Sequence, residues 1–202
     1  KKVEVCQKDC PAKGKGTWFF ESMRRVKGFW GISRIMFVAP KPSTGNFPSS
    51  NDELFYELLE KHGLADAHIT DWIKCRGKSG SQRDAEFVNC LDFLLEEKRI
   101  IKPLILVGVG NETYNRIQGC KPLREGVPYL ECCIHYSARF CTIEEIRREL
   151  DEDLARISTH YKKLLASQSA QVHDEKPEVK QACWLDSSGE IGELFQRMLM
   201  EM

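Results

Sequence analysis

Two hydrophobic periods take turns along this chain: short, nearly unbroken apolar runs, and longer stretches whose apolar residues recur every three or four positions. Arg34–Ala39 (RIMFVA) is one of the short runs and predicts a buried strand. It empties into PKPSTGNFPSS, a loop rich in Pro, Gly and Ser. Ser50 and Glu53 form a capping-box pair that starts a helix through Leu54, Phe55, Leu58 and Leu59, with a stop at Gly63. Ala67–Ile73 (AHITDWI) predicts a second strand. The polar loop RGKSGSQ then leads to Asp84, the cap of a long helix bearing Phe87, Leu91, Leu94 and Leu95. Pro103–Val109 (PLILVGV) predicts the third strand, and Gly110–Asn111 opens a short helix. Tyr129–Ile134 predicts the fourth strand, ending at HYSAR. Thr142 and Glu145 cap an amphipathic helix reaching about Leu165. Residues 167–181 are polar and read as a linker before a last helix around Glu190–Met200.

Strands that alternate with helices and are themselves almost wholly apolar predict a sheet covered on both faces. The expected fold class is α/β, a three-layer α/β/α arrangement around a central four-stranded, mainly parallel sheet. Residues 1–166 form the expected domain, including the N-terminal Cys segment, and 167–202 the linker and a C-terminal helix packing on it. In such folds ligands bind outside the carboxyl ends of the strands. The segments APKPSTGNF, DWIKC and HYSAR are therefore expected to converge on one crevice.

Composition narrows the function. With 202 residues, 42% of them hydrophobic and 30% charged, the chain has the make-up of a folded globular protein. No run approaches a membrane-spanning length, and Lys1–Lys2 leads into no signal-peptide core, so the expectations are no membrane partner, a cytoplasmic location and a monomer. Thirty basic side chains cancel thirty acidic ones. Their distribution is uneven: residues 1–50 hold ten Lys/Arg against three Asp/Glu, a bias suited to a phosphate-binding face or to a merely solvated surface. Nine cysteines, an odd number with Cys132 and Cys133 adjacent, argue against an extracellular disulfide scaffold and leave metal ligation or quiet burial.

Taken together, the strand-end segments resemble the uracil-DNA glycosylase superfamily, and most of all its iron–sulfur branch (family 4). ITDWIKCRGK resembles that branch's T-N-x-x-K-C-R-P, and AEFVNCLDFLLEEKRIIKPLILVGVGNETY its following helix and the strand closing in L-G. FVAPKPSTGNF stands where the branch has G-E-A-P-G and G-x-P-F, and HYSAR where it has H-P-S. The similarity spans roughly residues 6–141. It implies a DNA glycosylase, which flips a base out of DNA and hydrolyses its N-glycosidic bond to leave an abasic site.

The resemblance assigns roles residue by residue. Cys6, Cys10, Cys75 and Cys90 match the four cysteines that hold a 4Fe–4S cluster, although Cys6-x-x-x-Cys10 is one residue longer than usual. Four thiolates also suit zinc, the less favoured reading, and the remaining five cysteines have no matching positions. Phe47 falls on the aromatic that stacks on the flipped base, a contact worth roughly 1–3 kcal/mol. Ala39 and Pro40 line the base pocket. His135 matches the histidine that hydrogen-bonds the base carbonyl, stabilising charge that develops as the base departs. Lys41, Ser43, Ser137 and Arg139 are the expected DNA contacts, and Tyr136 replaces the usual Pro, which loosens or re-aims its loop.

Two departures alter the chemistry expected. The family's water-activating Glu is Val38 here; Asp52, Asn51, Glu112 or backbone carbonyls remain as substitutes. The base-reading Asn is Asp71. An ionised carboxylate only accepts hydrogen bonds, so it opposes uracil's exocyclic oxygen and suits cytosine's amine. An enzyme excising ordinary cytosine would destroy its host's genome. The function expected is therefore excision of a modified cytosine, hydroxymethylated or glucosylated as in phage DNA, in antiviral defence. The alternatives are a plain uracil-DNA glycosylase of base excision repair, in which Asp71 is protonated, and a catalytically silent DNA-binding module.

Overall fold

The computed structural model describes residues 6, 8, 33–42, 49–74 and 83–174. Four strands, β1 (Ile35–Ala39), β2 (His68–Asp71), β3 (Ile105–Val109) and β4 (Tyr129–Cys133), form one sheet in the order β2-β1-β3-β4. All three pairings are parallel, so every strand ends at the same edge. The expected α/β class with its four-stranded sheet is what the chain adopts, and the described sheet is parallel throughout. β1 and β3 are central and completely buried, which is why their sequences read as unbroken apolar runs rather than as alternation.

Alternate residues of β1 feed two separate cores. Ile35, Phe37 and Ala39 pack with Leu54, Phe55, Leu58 and Leu59 of α1 (Ser50–Lys61) and with Ile146, Leu150, Leu154 and Ile157 of α5 (Ile143–Asp174). Met36 and Val38 point the other way. They meet Phe87, Cys90 and Leu94 of α2 (Arg83–Ile101), Ile117 of α3 (Asn111–Gly119) and Leu123 of α4 (Lys121–Arg124). The three layers follow from this division. Burying each such side chain contributes about 1.5–3 kcal/mol, far more than the exposed ion pairs, such as Arg147 to Glu57, that edge the α1–α5 contact.

Local signals set most of the boundaries. Gly63, at φ 69°, follows the C-cap of α1, and Thr142 and Glu145 cap α5 reciprocally, at 3.2 and 2.8 Å. The box at α1 sits one residue earlier than the sequence suggested: Ser49 is the N-cap and Asp52 its partner. The helix α5 does not stop near Leu165 but continues to Asp174. Ser167, Gln168 and Gln171 are polar without being helix breakers, and no Gly or Pro intervenes before Pro177, so polarity alone was a poor terminator. By compactness the chain divides into Lys1–Ser167 and Gln168–Met202. The helix expected around Glu190–Met200 lies outside the described residues. Among those described, no helix is long and apolar enough to cross a membrane.

Gly108 marks the tightest approach of helix to sheet. A Cβ there would lie 2.5 Å from Tyr114 Cα and 2.6 Å from its N, both backbone atoms that cannot swing away. Gly108→Ala is expected to push α3 off β3 and cost about 1–3 kcal/mol or more, read as a lower urea midpoint at unchanged slope.

Candidate active site

The parallel sheet delivers its strand exits side by side. Asp71 ends β2 directly opposite Ala39, the end of β1, and the pairing continues past both strands. Trp72 N–H donates to Ala39 O at 2.8 Å and Ile73 N–H to Pro40 O at 3.1 Å. The Trp72 ring is buried edge-on against Phe87, and its Nε1–H donates to Phe87 O at 3.0 Å, so the exit from β2 is anchored to α2. Next to them, Gly110 N–H donates to Cys133 O at 2.8 Å and ties the exits of β3 and β4 together. Three of the expected base-pocket residues, Ala39, Pro40 and Asp71, thus stand side by side where β1 and β2 end. Phe47 lies outside the described residues.

His135 sits two residues beyond β4, against Gly110. Gly110 has φ 83°, which favours glycine, and a Cβ on it would press on His135 Cβ at 3.2 Å. The imidazole is held by its own loop: Ser137 N–H donates to His135 Nδ1 at 3.1 Å, and Ser137 Oγ is 3.0 Å from the same nitrogen. A backbone N–H can only donate. Nδ1 is therefore the acceptor, and in the neutral ring the proton resides on Nε2. Burial pushes the imidazole below its ordinary pKa, with Asp52 and Glu112 partly opposing, so the neutral ring with an Nε2–H donor is favoured.

Tyr136 does not loosen this loop. Its ring stacks on His135 at 4.7 Å and on Phe55 of α1 at 4.9 Å, making a three-ring pile from α1 to the catalytic histidine candidate. The first turn of α1 is thereby drawn to the β4 exit. Asp52, 4% exposed, lies on that turn, and its charge acts on His135, Asp71, Tyr56 and Tyr136. Burial, then Asp52 and Asp71, hold the Tyr56 phenol well above its ordinary value.

Asp71 is the most perturbed carboxyl of the group. Burial raises it from 3.8 to about 7; Lys74 opposes this, and Glu97 and Asp52 add to it. The acid is thus about half protonated near pH 7, between the ionised side chain on which the cytosine expectation was built and the protonated one of the uracil alternative. Lys74 is itself buried, donating to Thr70 Oγ1 at 2.6 Å and to Glu97 Oε2 at 2.7 Å.

Val38 is fully buried against the α2 side of the sheet, so nothing from that position reaches the crevice. Of the expected DNA contacts, Lys41 is half-buried just past the β1 exit, while Ser137 and Arg139 lie on the loop after His135. Ser43 is outside the described residues. Phe140, beside Arg139, is 100% exposed. The sequence reading passed over Phe140, Tyr56 and the Phe55–Tyr136 stack. An apolar residue inside the otherwise polar HYSAR segment's continuation was the one available sign of Phe140.

Cys90 is buried on α2 and its Sγ accepts the Lys74 N–H at 3.4 Å. Lys8 Nζ donates to Asn89 O and to Asp92 Oδ2, each at 2.7 Å, and this straps the segment bearing Cys6 to the same turn of α2. Cys10 and Cys75 lie outside the described residues. Among the described residues, no three His, Cys, Asp or Glu side chains form a metal-holding group.

No curated protein matches the chain. The sequence model of the uracil DNA glycosylase superfamily matches residues 31–187, well over half of it and all of the sheet. A parallel four-stranded sheet with Asp71 and His135 at its carboxyl edge, under that match, means that the chain belongs to the uracil-DNA glycosylase superfamily, whose members are DNA glycosylases.

Proposed function

We propose that the protein is a monofunctional DNA glycosylase that removes a modified cytosine, hydroxymethylated or glucosylated, from DNA foreign to its host. The observation that carries this reading is Asp71, a carboxyl held near neutrality at the base-reading position. In the neutral form its O–H donates to cytosine N3 while its carbonyl accepts from the N4 amine. Cytosine is a poor leaving group unless N3 gains a proton, and Asp71 is placed by sequence correspondence to supply it. His135 Nε2–H then hydrogen-bonds the base O2, where negative charge grows as the C1′–N1 bond lengthens. The loop bearing Ser137 and Arg139 follows the phosphates, and exposed Phe140 fills the gap that a flipped base leaves in the stack.

A neutral Asp71 also complements uracil, accepting from N3–H and donating to O4, so uracil excision is the second reading. A panel of duplexes carrying uracil, hypoxanthine, cytosine, methylcytosine, hydroxymethylcytosine or glucosylated hydroxymethylcytosine separates the two. Release confined to the modified cytosines is expected. Release of uracil alone would return the protein to repair. Phe140→Ala is expected to lower the apparent affinity for duplex about tenfold while sparing single strands, where no base has to be unstacked.

The four cysteines of the resemblance, Cys6, Cys10, Cys75 and Cys90, are the proposed ligands of a structural 4Fe–4S cluster, with zinc the lesser alternative. Two observations fit it: Cys90 receives an N–H···S hydrogen bond, and Lys8 brings the Cys6 segment to the turn that holds Cys90. When bound, such a cluster ties the N-terminal segment to the β2 exit and takes no part in base release. Purified anaerobically, the protein is expected to be brown with four irons and four sulfides per chain, as four thiolates imply. Cys90→Ser should bleach it, and stoichiometric zinc in colourless protein would overturn the cluster.

A further inference from the structure

We infer that Asp52 is the catalytic carboxylate of this enzyme, standing in from helix α1 for the acid that β1 lacks at Val38. The assignment rests on the glycosylase reading above. Val38 is wholly enclosed in the α2-side core, so the activated water must be held by some other element. Three neighbouring side chains compete. Glu112 is exposed, lies 3.6 Å from Arg116 Nε, and acts on His135 alone of the crevice groups. Asn51 cannot take a proton from water. Asp52 is 4% exposed, on the turn that the Phe55–Tyr136–His135 stack clamps against the β4 exit.

The two oxygens of Asp52 are not equivalent. Oδ2 accepts from Ser49 N–H at 2.8 Å and from Ser49 Oγ at 2.7 Å, which fixes the carboxylate on the helix N-terminus. Oδ1 has no hydrogen bond among the described residues. Asp52 acts electrostatically on Asp71 at the β2 exit and on His135 and Tyr136 at the β4 exit. A carboxylate held by one oxygen, with no hydrogen bond on the other among the described residues and electrostatically coupled to both the β2 and β4 exits, suits the sugar side of the reaction. Water oxygen bonds to C1′ as the C1′–N1 bond breaks and its electron pair leaves on the base. The base takes the Asp71 proton at N3, and the water proton passes to Asp52 Oδ1. Exchange with solvent returns both carboxyls to their starting states.

Asp52 also caps a helix, so the test must separate capping from catalysis. Asp52→Asn keeps an oxygen for Ser49 N–H and removes the proton acceptor; Gly63→Ala strains the far end of the same helix, at φ 69°, and leaves Asp52 and its Ser49 contacts in place. Single-turnover base release, duplex affinity and melting temperature are measured for wild type and both variants on whichever base of the panel the wild type removes. The expected result is a loss of about 10²–10⁴-fold in release for Asp52→Asn with affinity within threefold, against a loss below about threefold for Gly63→Ala despite its lower melting temperature. Equal losses in the two variants, or Asp52→Asn within threefold of wild type, would make Asp52 a helix cap and nothing more. A wild type that releases no base overturns the glycosylase reading and the assignment with it.

Discussion

Replacing His135 by Gln is expected to lower single-turnover base release about 10²–10³-fold while leaving DNA affinity within a few-fold. The size follows from what the ring is arranged to do. The Ser137 N–H commits Nδ1 to accepting, burial keeps the ring neutral, and so the one proton of the imidazole is on Nε2. A fixed donor costs little reorganisation when charge appears on the base oxygen, which is why its loss is felt in the transition state more than in binding. Gln offers an N–H of similar reach without the tautomer lock, so some activity should survive. Gly110→Ala should reproduce part of the defect with His135 intact, because the added Cβ would lie 3.2 Å from His135 Cβ at a backbone angle that alanine disfavours. Unchanged release in His135→Gln would remove the histidine from the chemistry.

Much of this arrangement was legible in the sequence. The unbroken apolar runs gave the buried strands, and their alternation with helices gave the parallel sheet that gathers Ala39, Asp71 and His135 at one edge. Two things were not legible. The protonation state of Asp71 stood open between an ionised and a protonated side chain because its identity was visible and its burial was not; the raised pKa comes from enclosure and from Glu97 and Asp52, which the sequence does not place beside it. Tyr136 looked like a loosened Pro position because its partner, Phe55, is 81 residues away, and ring stacking across that distance leaves no mark on local pattern. The sequence alone could not choose among Asp52, Asn51, Glu112 and backbone carbonyls, because the ring stack that brings α1 beside the histidine joins residues far apart in the chain.

Asp71 supplies the second large effect, and it has opposite signs for activity and stability. Only the neutral acid can protonate cytosine N3, so release of a modified cytosine is expected to fall as pH rises through about 7, approaching tenfold per pH unit above it. The limb reports the acid together with the groups facing it, Lys74, Glu97 and Asp52. Asp71→Asn should abolish the limb, lower release at pH 6 by about 10²-fold or more, and improve the ratio of uracil to cytosine release. The same substitution is expected to raise stability. A carboxyl whose folded pKa exceeds its unfolded value disfavours the native state once it ionises, so the wild type loses stability as pH rises from about 4 to about 7. The interval from 3.8 to about 7 sets an upper bound of about 4 kcal/mol on that loss. Asp71→Asn should therefore match the wild type near pH 4 and exceed it at pH 8 in urea unfolding. A variant no more stable at pH 8, in an enzyme with no limb near 7, would place Asp71 in water and ionised.

Hydrolysis of a base–sugar bond is read most directly by mass spectrometry of the free base. Duplex containing glucosylated hydroxymethylcytosine is incubated with wild type at pH 6 and divided into supernatant and DNA. The intact modified base is expected in the supernatant with an equal number of alkali-labile abasic sites in the strand, both nearly absent with His135→Gln. Strand breaks without free base, or bound DNA with neither product, would contradict hydrolysis.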